Sequence, residues 1–204
     1  GGGCKLTEKE NARRYWPVLR DMPHPVAADF HLANLGRQFW LERHGRRFWL
    51  SMGRNVRDNE ALAAALRDGD ARVGLAGLPG PVAVARDGAS WPADVLADAA
   101  ALTASYAGKA TAAAQRGEQV FGRAQTPDGQ EIWRGPIEPR RDGGWQEPLW
   151  EPAREEIREE QRLRIQAREQ ARLARREERR KIAAGNDEPA TADAGPLQNP
   201  SENV

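Results

Sequence analysis

The chain has 204 residues, of which 30% are charged and 39% are hydrophobic. This composition argues against one core that spans the whole chain, so we expect a compact domain of roughly 100–120 residues with solvated extensions. Cys4 is the only cysteine, which excludes an intrachain disulfide. No apolar run approaches the ~18–20 residues that span a bilayer, so we expect a cytoplasmic protein without membrane contact.

Residues 1–36 are predicted to be a lead-in that contains one short helix. We place this helix at residues 5–20, where Thr7 can cap it. Pro17 lies inside the run and is expected to end the helix early, because proline lacks the amide that continues a helix.

Residues 37–135 are predicted to form an α+β domain, a small antiparallel sheet packed with one or two helices. Its first hairpin turns at His44-Gly45, because glycine supplies the positive φ of a tight turn between aromatic strands. Its longest helix begins at Pro92, which suits a first helical turn, and ends near Gly108. The strands of the first hairpin are expected at residues 39–41 and 48–50, and a helix capped by Asp58 follows at residues 58–66. Two short strands are expected at residues 72–75 and 82–85, and the long helix at residues 92–108. The strands of the second hairpin are expected at residues 120–121 and 131–133.

The rest of the chain is predicted to be extended and charged. An irregular linker at residues 136–150 precedes one long charged helix at residues 151–184. Between residues 161 and 181 this helix has nine basic and three acidic residues, a net charge of +6. Its apolar residues do not sustain a heptad, so we expect no stable coiled coil. The polar, acidic tail at residues 185–204 is expected to be disordered.

Three blocks of the central stretch carry a family resemblance. They are Gly53-Arg54-Asn55 with Asn59-Glu60 and Leu62; Asp70 with Leu78-Pro79-Gly80 and residues 82–86; and Pro92, Leu96, Ala99-Ala100, Leu102, Ala104, Tyr106 and Lys109-Ala110. In order and spacing they resemble the NFACT-R domain, a predicted RNA-binding module of proteins that act on stalled large ribosomal subunits in ribosome quality control. The resemblance covers roughly residues 39–110 and implies RNA or a ribosomal subunit as the partner. The sequence departs from the family at Arg72-Val73-Gly74, where a Trp/Phe-His pattern is usual, and at Pro81-Val82, where Ser-His is usual.

Arginines and aromatic residues are mixed in and around the predicted hairpin, which is typical of a nucleic-acid surface. The residues predicted to contact nucleic acid are Arg37, Arg43, Arg46, Arg47, Arg54, Asn55, Arg57, Arg72 and Arg86. Possible contacts from the long helix are Arg168, Arg172, Arg175, Arg176, Arg179 and Arg180. An ordinary solvated basic surface is the alternative for both groups. For Gly53-Arg54-Asn55 we favour a strand-to-helix turn in which asparagine caps the helix, and a phosphate contact by Arg54 is the alternative.

The sequence shows no catalytic constellation, and we expect no enzyme activity, cofactor or metal. Three tryptophans at positions 40, 49 and 91 are expected in the core, although an exposed indole could stack on a base. The leading hypothesis is therefore a non-enzymatic nucleic-acid-binding protein associated with RNA or the ribosome. Two alternatives remain open: a DNA-processing or mobile-element accessory protein, and a helical adaptor whose long helix binds a protein partner.

Overall fold

The computed structural model describes residues 9–185, which form six helices and six strands together with a 3-10 turn. The helices are α1 (Lys9–Asp21), α2 (Ala27–Ala33), α3 (Val56–Ala64), α4 (Ala93–Ser105), α5 (Gly108–Gln115) and α6 (Trp150–Gly185). The strands are β1 (Arg37–Arg43), β2 (Arg46–Met52), β3 (Ala71–Ala76), β4 (Ala83–Ala85), β5 (Val120–Gln125) and β6 (Glu131–Ile137). Thr7 and residues 186–204 of the predicted tail lie outside the described residues.

The strands form one antiparallel sheet in the order β1-β2-β4-β3-β5-β6. Both predicted hairpins are confirmed. In the first, Arg43 pairs with Arg46, and the intervening His44 and Gly45 both have positive φ. The sheet, its helices and the long charged helix confirm the predicted α+β class. The chain divides into two compact units, Gly1–Ile157 and Arg158–Val204.

One face of the sheet is covered by α4, which supplies the main core. Strand residues such as Phe48, Leu50 and Val73 pack against Val95 and other apolar residues of this helix. Small side chains allow the helix to lie close to the strands. At Gly122 of β5, for example, an added Cβ would lie 2.6 Å from the Cβ of a helical alanine, which is closer than side chains pack.

The opposite face of the sheet is only half covered. There α1, α2 and α3 contribute Val18, Leu32 and Leu62 to a second cluster, whose strand residues come from β1, β2 and β4. Trp40 and Trp49 stack in this cluster with ring centroids 5.2 Å apart. They and Trp91 are buried, as predicted. In β3, β5 and β6 the residues that point to this side are partly or fully exposed, so this half of the sheet faces solvent.

Two predicted helix ends are wrong. Helix α1 continues through Pro17, because Pro17 and Val18 are buried and their packing compensates for the hydrogen bond that proline cannot make. Helix α3 is capped by Asn55 rather than Asp58, since the Asn55 side chain accepts from the Asp58 amide.

Two further helices were not predicted, and the linker is partly ordered. Helix α2 begins after Val26, whose side chain cannot cap a helix, and the Val26 amide instead donates to the Asp29 carboxylate at 2.9 Å. Helix α5 follows α4 after a two-residue interruption, so the helical region continues past Gly108. In the linker, β6 extends to Ile137, and Gln146 forms an isolated bridge to Trp40.

No helix among residues 9–185 has the length and apolar character needed to cross a membrane.

Candidate nucleic-acid interface

The arginines of the first hairpin do not form one surface, because alternation along the strands sends them to both faces. Arg43 points to the α4 side and donates to the Asp98 carboxylate. Arg47 points to the opposite side, where its guanidinium lies 3.1 Å from the Asp21 carboxylate of α1. Each of these arginines therefore already has an anionic partner within the chain.

Two other hairpin arginines lie over aromatic rings. The guanidinium carbon of Arg37 is 4.8 Å from the centre of the Tyr106 ring, and that of Arg46 is 5.4 Å from the centre of the Phe48 ring. Such contacts are cation–π interactions, which orient the guanidinium along the protein surface. Arg46 is exposed at the hairpin end, whereas Arg37 is partly buried.

The turn before α3 is structural. Asn55 accepts from the Asp58 amide at 2.9 Å, and Arg54 Nε donates to the Asp58 carboxylate at 2.6 Å. The hydrogen bond from Arg54 lowers the pKa of Asp58, and Asp58 in turn raises the pKa of Arg54. A carboxylate of the chain thus occupies the positive end of the helix, where a ligand phosphate would otherwise bind. Arg57 is exposed and forms no ion pair within residues 9–185.

Arg86 is buried, so its prediction as a nucleic-acid contact is wrong. Its side chain is 2% exposed, and its Nη1 donates to Asp70 at 2.7 Å. The Asp29 carboxylate of α2 forms ion pairs with two guanidiniums, at 3.3 Å from Arg86 Nε and at 3.0 Å from Arg67 Nη1. Burial lowers the pKa of Arg86 and raises the pKa of Asp70. Arg86 therefore belongs to a structural ion-pair cluster that joins α2 to the sheet.

The uncovered half of the sheet brings three arginines together. Arg72 of β3, Arg123 of β5 and Arg134 of β6 share this face, because Val73, Gly122 and other intervening residues point towards α4. Arg123 and Arg134 are directly opposite across the β5–β6 pair. Arg72 is diagonal to Arg123, since its direct partner in β5 is Gln125. We call the surface formed by Arg72, Phe121, Arg123, Gln125 and Arg134 the open face.

The arginines of the open face lack strong partners among residues 9–185. Neither Arg72 nor Arg123 forms an ion pair or hydrogen bond with another side chain in the part of the chain that the structure describes. Arg134 reaches the Glu131 carboxylate only at 4.0 Å. Like charges directly opposite in a sheet destabilise it. An anion bound between the two guanidiniums would be attracted to both and would offset their repulsion.

A crevice of about 190 Å³ borders the open face. One wall is the irregular segment between β3 and β4, including Leu78 and Pro81, and the other includes Arg72 and Arg123. Strand β4 pairs with β3 only as far as Val73, so beyond that residue the edge of β3 faces this crevice rather than another strand. The crevice extends the basic surface sideways along the sheet.

The second unit carries its own basic stripe. We call residues 158–181 of α6 the arm. Arg168, Arg172, Arg175 and Arg179 are spaced four, three and four residues apart, which places them on one helix side over about 16 Å. Arg176 lies beside this stripe, and Arg180 lies farther around the helix axis. All six arginines predicted as contacts are exposed, and none forms an ion pair within the described arm. By contrast, Arg164 near the start of the arm pairs with Glu160.

His44, in the turn of the first hairpin, is paired with an acidic side chain. His44 Nε2 lies 2.9 Å from the Asp94 carboxylate, and this hydrogen bond lowers the pKa of Asp94. Within residues 9–185, no group of three or more histidine, cysteine or acidic side chains could hold a metal ion.

Of the three arginines of the open face, the sequence predicts Arg72 as a nucleic-acid contact but not Arg123 or Arg134. A signal was available in β5, where Phe121, Arg123 and Gln125 alternate with Val120, Gly122 and Ala124. Glycine and alanine supply a weak apolar pattern, so this alternation is less visible than one built on leucine or valine.

Comparison with known proteins finds distant similarity among solved structures. No protein-family model and no curated protein matches the chain. Among solved structures, the C-terminal part of the fibronectin/fibrinogen-binding protein from Streptococcus suis is similar, with 16% sequence identity and a TM-score of 0.42. The match covers 67% of this chain and 59% of that chain.

Proposed function

We propose that this chain is a non-enzymatic nucleic-acid-binding protein, associated with RNA or a ribosomal subunit, and that the open face is its main contact surface. The observation that carries this proposal is the row of Arg72, Arg123 and Arg134 on three adjacent strands, which has no strong acidic partner in the described part of the chain. Surface arginines elsewhere in the same unit, such as Arg54 and Arg116, are held by carboxylates.

Guanidinium groups suit a phosphate backbone for two reasons. Each presents a planar fork of donors that can bind two phosphate oxygens at once. Each contact also releases condensed counterions, which makes binding fall steeply with salt. Because the three arginines lie on strands of one sheet, they are held at fixed separations, and little backbone ordering is required on binding.

RNA is proposed over DNA because of the family resemblance. The blocks between residues 39 and 110 resemble a predicted RNA-binding module, and Arg72 stands where that family usually has an aromatic residue. An arginine at this position would replace base stacking by phosphate or base-edge contact. Ribosomal subunits would offer both single strands and helices for such contacts.

The arm would add contacts that do not depend on base sequence. Four arginines on one side of a helix can follow a phosphate backbone, and each contact steepens the salt dependence by about 0.7–0.9 in log–log slope. An adaptor role for the same stripe would require an acidic protein partner instead.

The first test compares the double variant Arg72→Ala/Arg123→Ala with the wild-type chain in binding to labelled RNA. Loss of two charge-assisted contacts should weaken binding by at least about 10-fold at low salt and lower the salt slope by about 1–2. Arg116→Ala is the matched control, because Arg116 is exposed but paired with Glu118 at 2.6 Å. Equal affinities for the double variant and the control would contradict the proposed surface.

A second test identifies the partner. Purification of the tagged chain with and without nuclease should recover RNA or ribosomal subunits that disappear after RNase treatment. Recovery of DNA that resists RNase would support the DNA-processing alternative. A protein partner that remains after both nucleases, with no bound nucleic acid, would support the adaptor alternative.

A further inference from the structure

Phe121 is an aromatic side chain placed outside the core. Along β5, its neighbours Val120 and Gly122 point towards α4 and α5, whereas Phe121 points to the uncovered half of the sheet. It is partly exposed, and it belongs to none of the three hydrophobic clusters. Tyr15, Phe39 and Phe48 each contact another aromatic ring, but Phe121 has no ring partner among residues 9–185.

The neighbours of Phe121 leave its ring accessible. Ala76 of β3 and Pro136 of β6 are its direct partners across the sheet. Both side chains are small or flat, so neither can cover the ring as a leucine or tryptophan would. An accessible ring without a ring partner can stack on a planar ligand such as a nucleic-acid base.

Phe121 also lies beside the arginine row. Arg123 is two residues further along β5 on the same face, which places the two Cα atoms about 6.6 Å apart. Arg134 is directly opposite Arg123, and the crevice next to Arg72 continues the surface on the other side. The open face therefore offers a π surface and several phosphate-binding groups on one side of three adjacent strands.

We infer that the open face is a stacking platform for a single-stranded nucleic acid, in which Phe121 stacks on a base while Arg72, Arg123 and Arg134 hold the adjoining phosphates. This inference rests on the proposed function and adds the class of strand that is bound. In a duplex both faces of each base are covered by neighbouring bases, so only the arginines could engage it. In a single strand a base can turn towards the ring while the backbone follows the arginine row.

The test is Phe121→Leu, which removes the aromatic face but keeps an apolar side chain of similar size. Binding is measured for single-stranded oligonucleotides and for duplexes of the same sequence, each as RNA and as DNA. Loss of one base stack should lower single-strand affinity by about 5- to 150-fold, with duplex affinity changed by less than about 2-fold. Phe121→Trp should restore single-strand binding, because indole also stacks. A 2-aminopurine base should be quenched by the wild-type chain and less so by Phe121→Leu.

Leu149→Ala is the matched control, because Leu149 is an exposed apolar residue of the same unit, outside the open face. The tighter binder of RNA and DNA identifies the preferred sugar. Phe121→Leu must lower the affinity for the single-stranded form of that nucleic acid more than the affinity for its duplex. Equal losses for single strands and duplexes, or no loss for either, would overturn the inference. If the arginine double variant still loses affinity in that case, the proposed function stands without the stacking platform. If the wild-type chain binds no nucleic acid, both fail.

Discussion

Arg86 and Arg72 lie on the same face of the sheet, one at the end of β4 and the other in the adjoining strand β3, yet their environments are opposite. Arg86 lies under α2, with Asp70 and Asp29 against its guanidinium. Arg72 lies on the uncovered half, exposed, with no acidic partner among the described residues. The boundary between the covered and open halves of the face therefore separates arginines that stabilise the fold from arginines that are free to bind.

The largest expected effect is on the covered side. Arg86→Met should lower the free energy of unfolding by about 3–5 kcal/mol, because it leaves buried Asp70 without its ion-pair partner. Arg72→Met, the same substitution on the open side, should change it by less than about 0.5 kcal/mol. Urea unfolding of both variants measures the difference. Equal losses in the free energy of unfolding would show that Arg86 and Arg72 contribute equally to stability, which would contradict the distinction between the covered and open halves.

A smaller effect is expected at the turn before α3, where Arg54 is exposed but paired. Asp58→Asn should cost about 1 kcal/mol at neutral pH, because it removes a charge at the helix N-terminus and its bond to Arg54. Since the pKa of Asp58 is lowered in the folded state, its contribution is complete above the unfolded-state pKa of about 3.9 and is lost as the pH falls through the folded-state pKa.

The measurement for this pair is urea unfolding of the wild-type chain and Asp58→Asn between pH 7 and pH 2.5. The difference in free energy of unfolding between the two proteins should stay constant down to about pH 4 and then decrease. A gap that widens on acidification would contradict the assignment of Asp58 as a charged partner of Arg54.

The smallest expected effect is in the arm. Replacing Arg168, Arg172, Arg175 and Arg179 by glutamine should weaken RNA binding only a few-fold near physiological salt, yet lower the log–log salt slope by up to about 3. Salt titrations of RNA affinity test this. A matched variant with glutamine at Arg162 and Arg164, which are paired with Glu159 and Glu160, should retain the wild-type slope. An unchanged slope in the fourfold variant would exclude the arm from nucleic-acid contact.

The parts of the fold that the sequence predicts are those with strong local chemistry. The first hairpin follows from Gly45 between aromatic strands, and α4 follows from Pro92 and a long alanine-rich apolar run. Local pattern fails where tertiary contacts decide the structure. Helix α2 is seven residues long and begins after a valine, which is not a capping residue type, and its burial against the sheet stabilises it.

The candidate site was harder to predict because it depends on which half of a sheet is left uncovered. Arg72 and Arg86 are alike in sequence, each in a short strand pattern, and only the positions of α1–α3 distinguish them. The sequence predicts this part of β5 only at residues 120–121, which leaves Arg123 outside the predicted strand. Its position opposite Arg134 follows from the register of β5 and β6. The acidic partners of Arg43 and Arg47 could not be predicted either, because Asp98 is 55 positions from Arg43 and Asp21 is 26 positions from Arg47.

The most direct test of the account is Arg123→Glu, measured for RNA affinity and for stability in the same preparation. Replacing one member of the opposed Arg123–Arg134 pair by glutamate turns a repulsive cross-strand pair into an attractive one. We expect RNA affinity to fall by at least about 10-fold while the free energy of unfolding rises by about 0.2–1 kcal/mol. Unchanged RNA affinity, or a loss of affinity accompanied by an equal loss of stability, would show that Arg123 is a structural residue and would contradict the account.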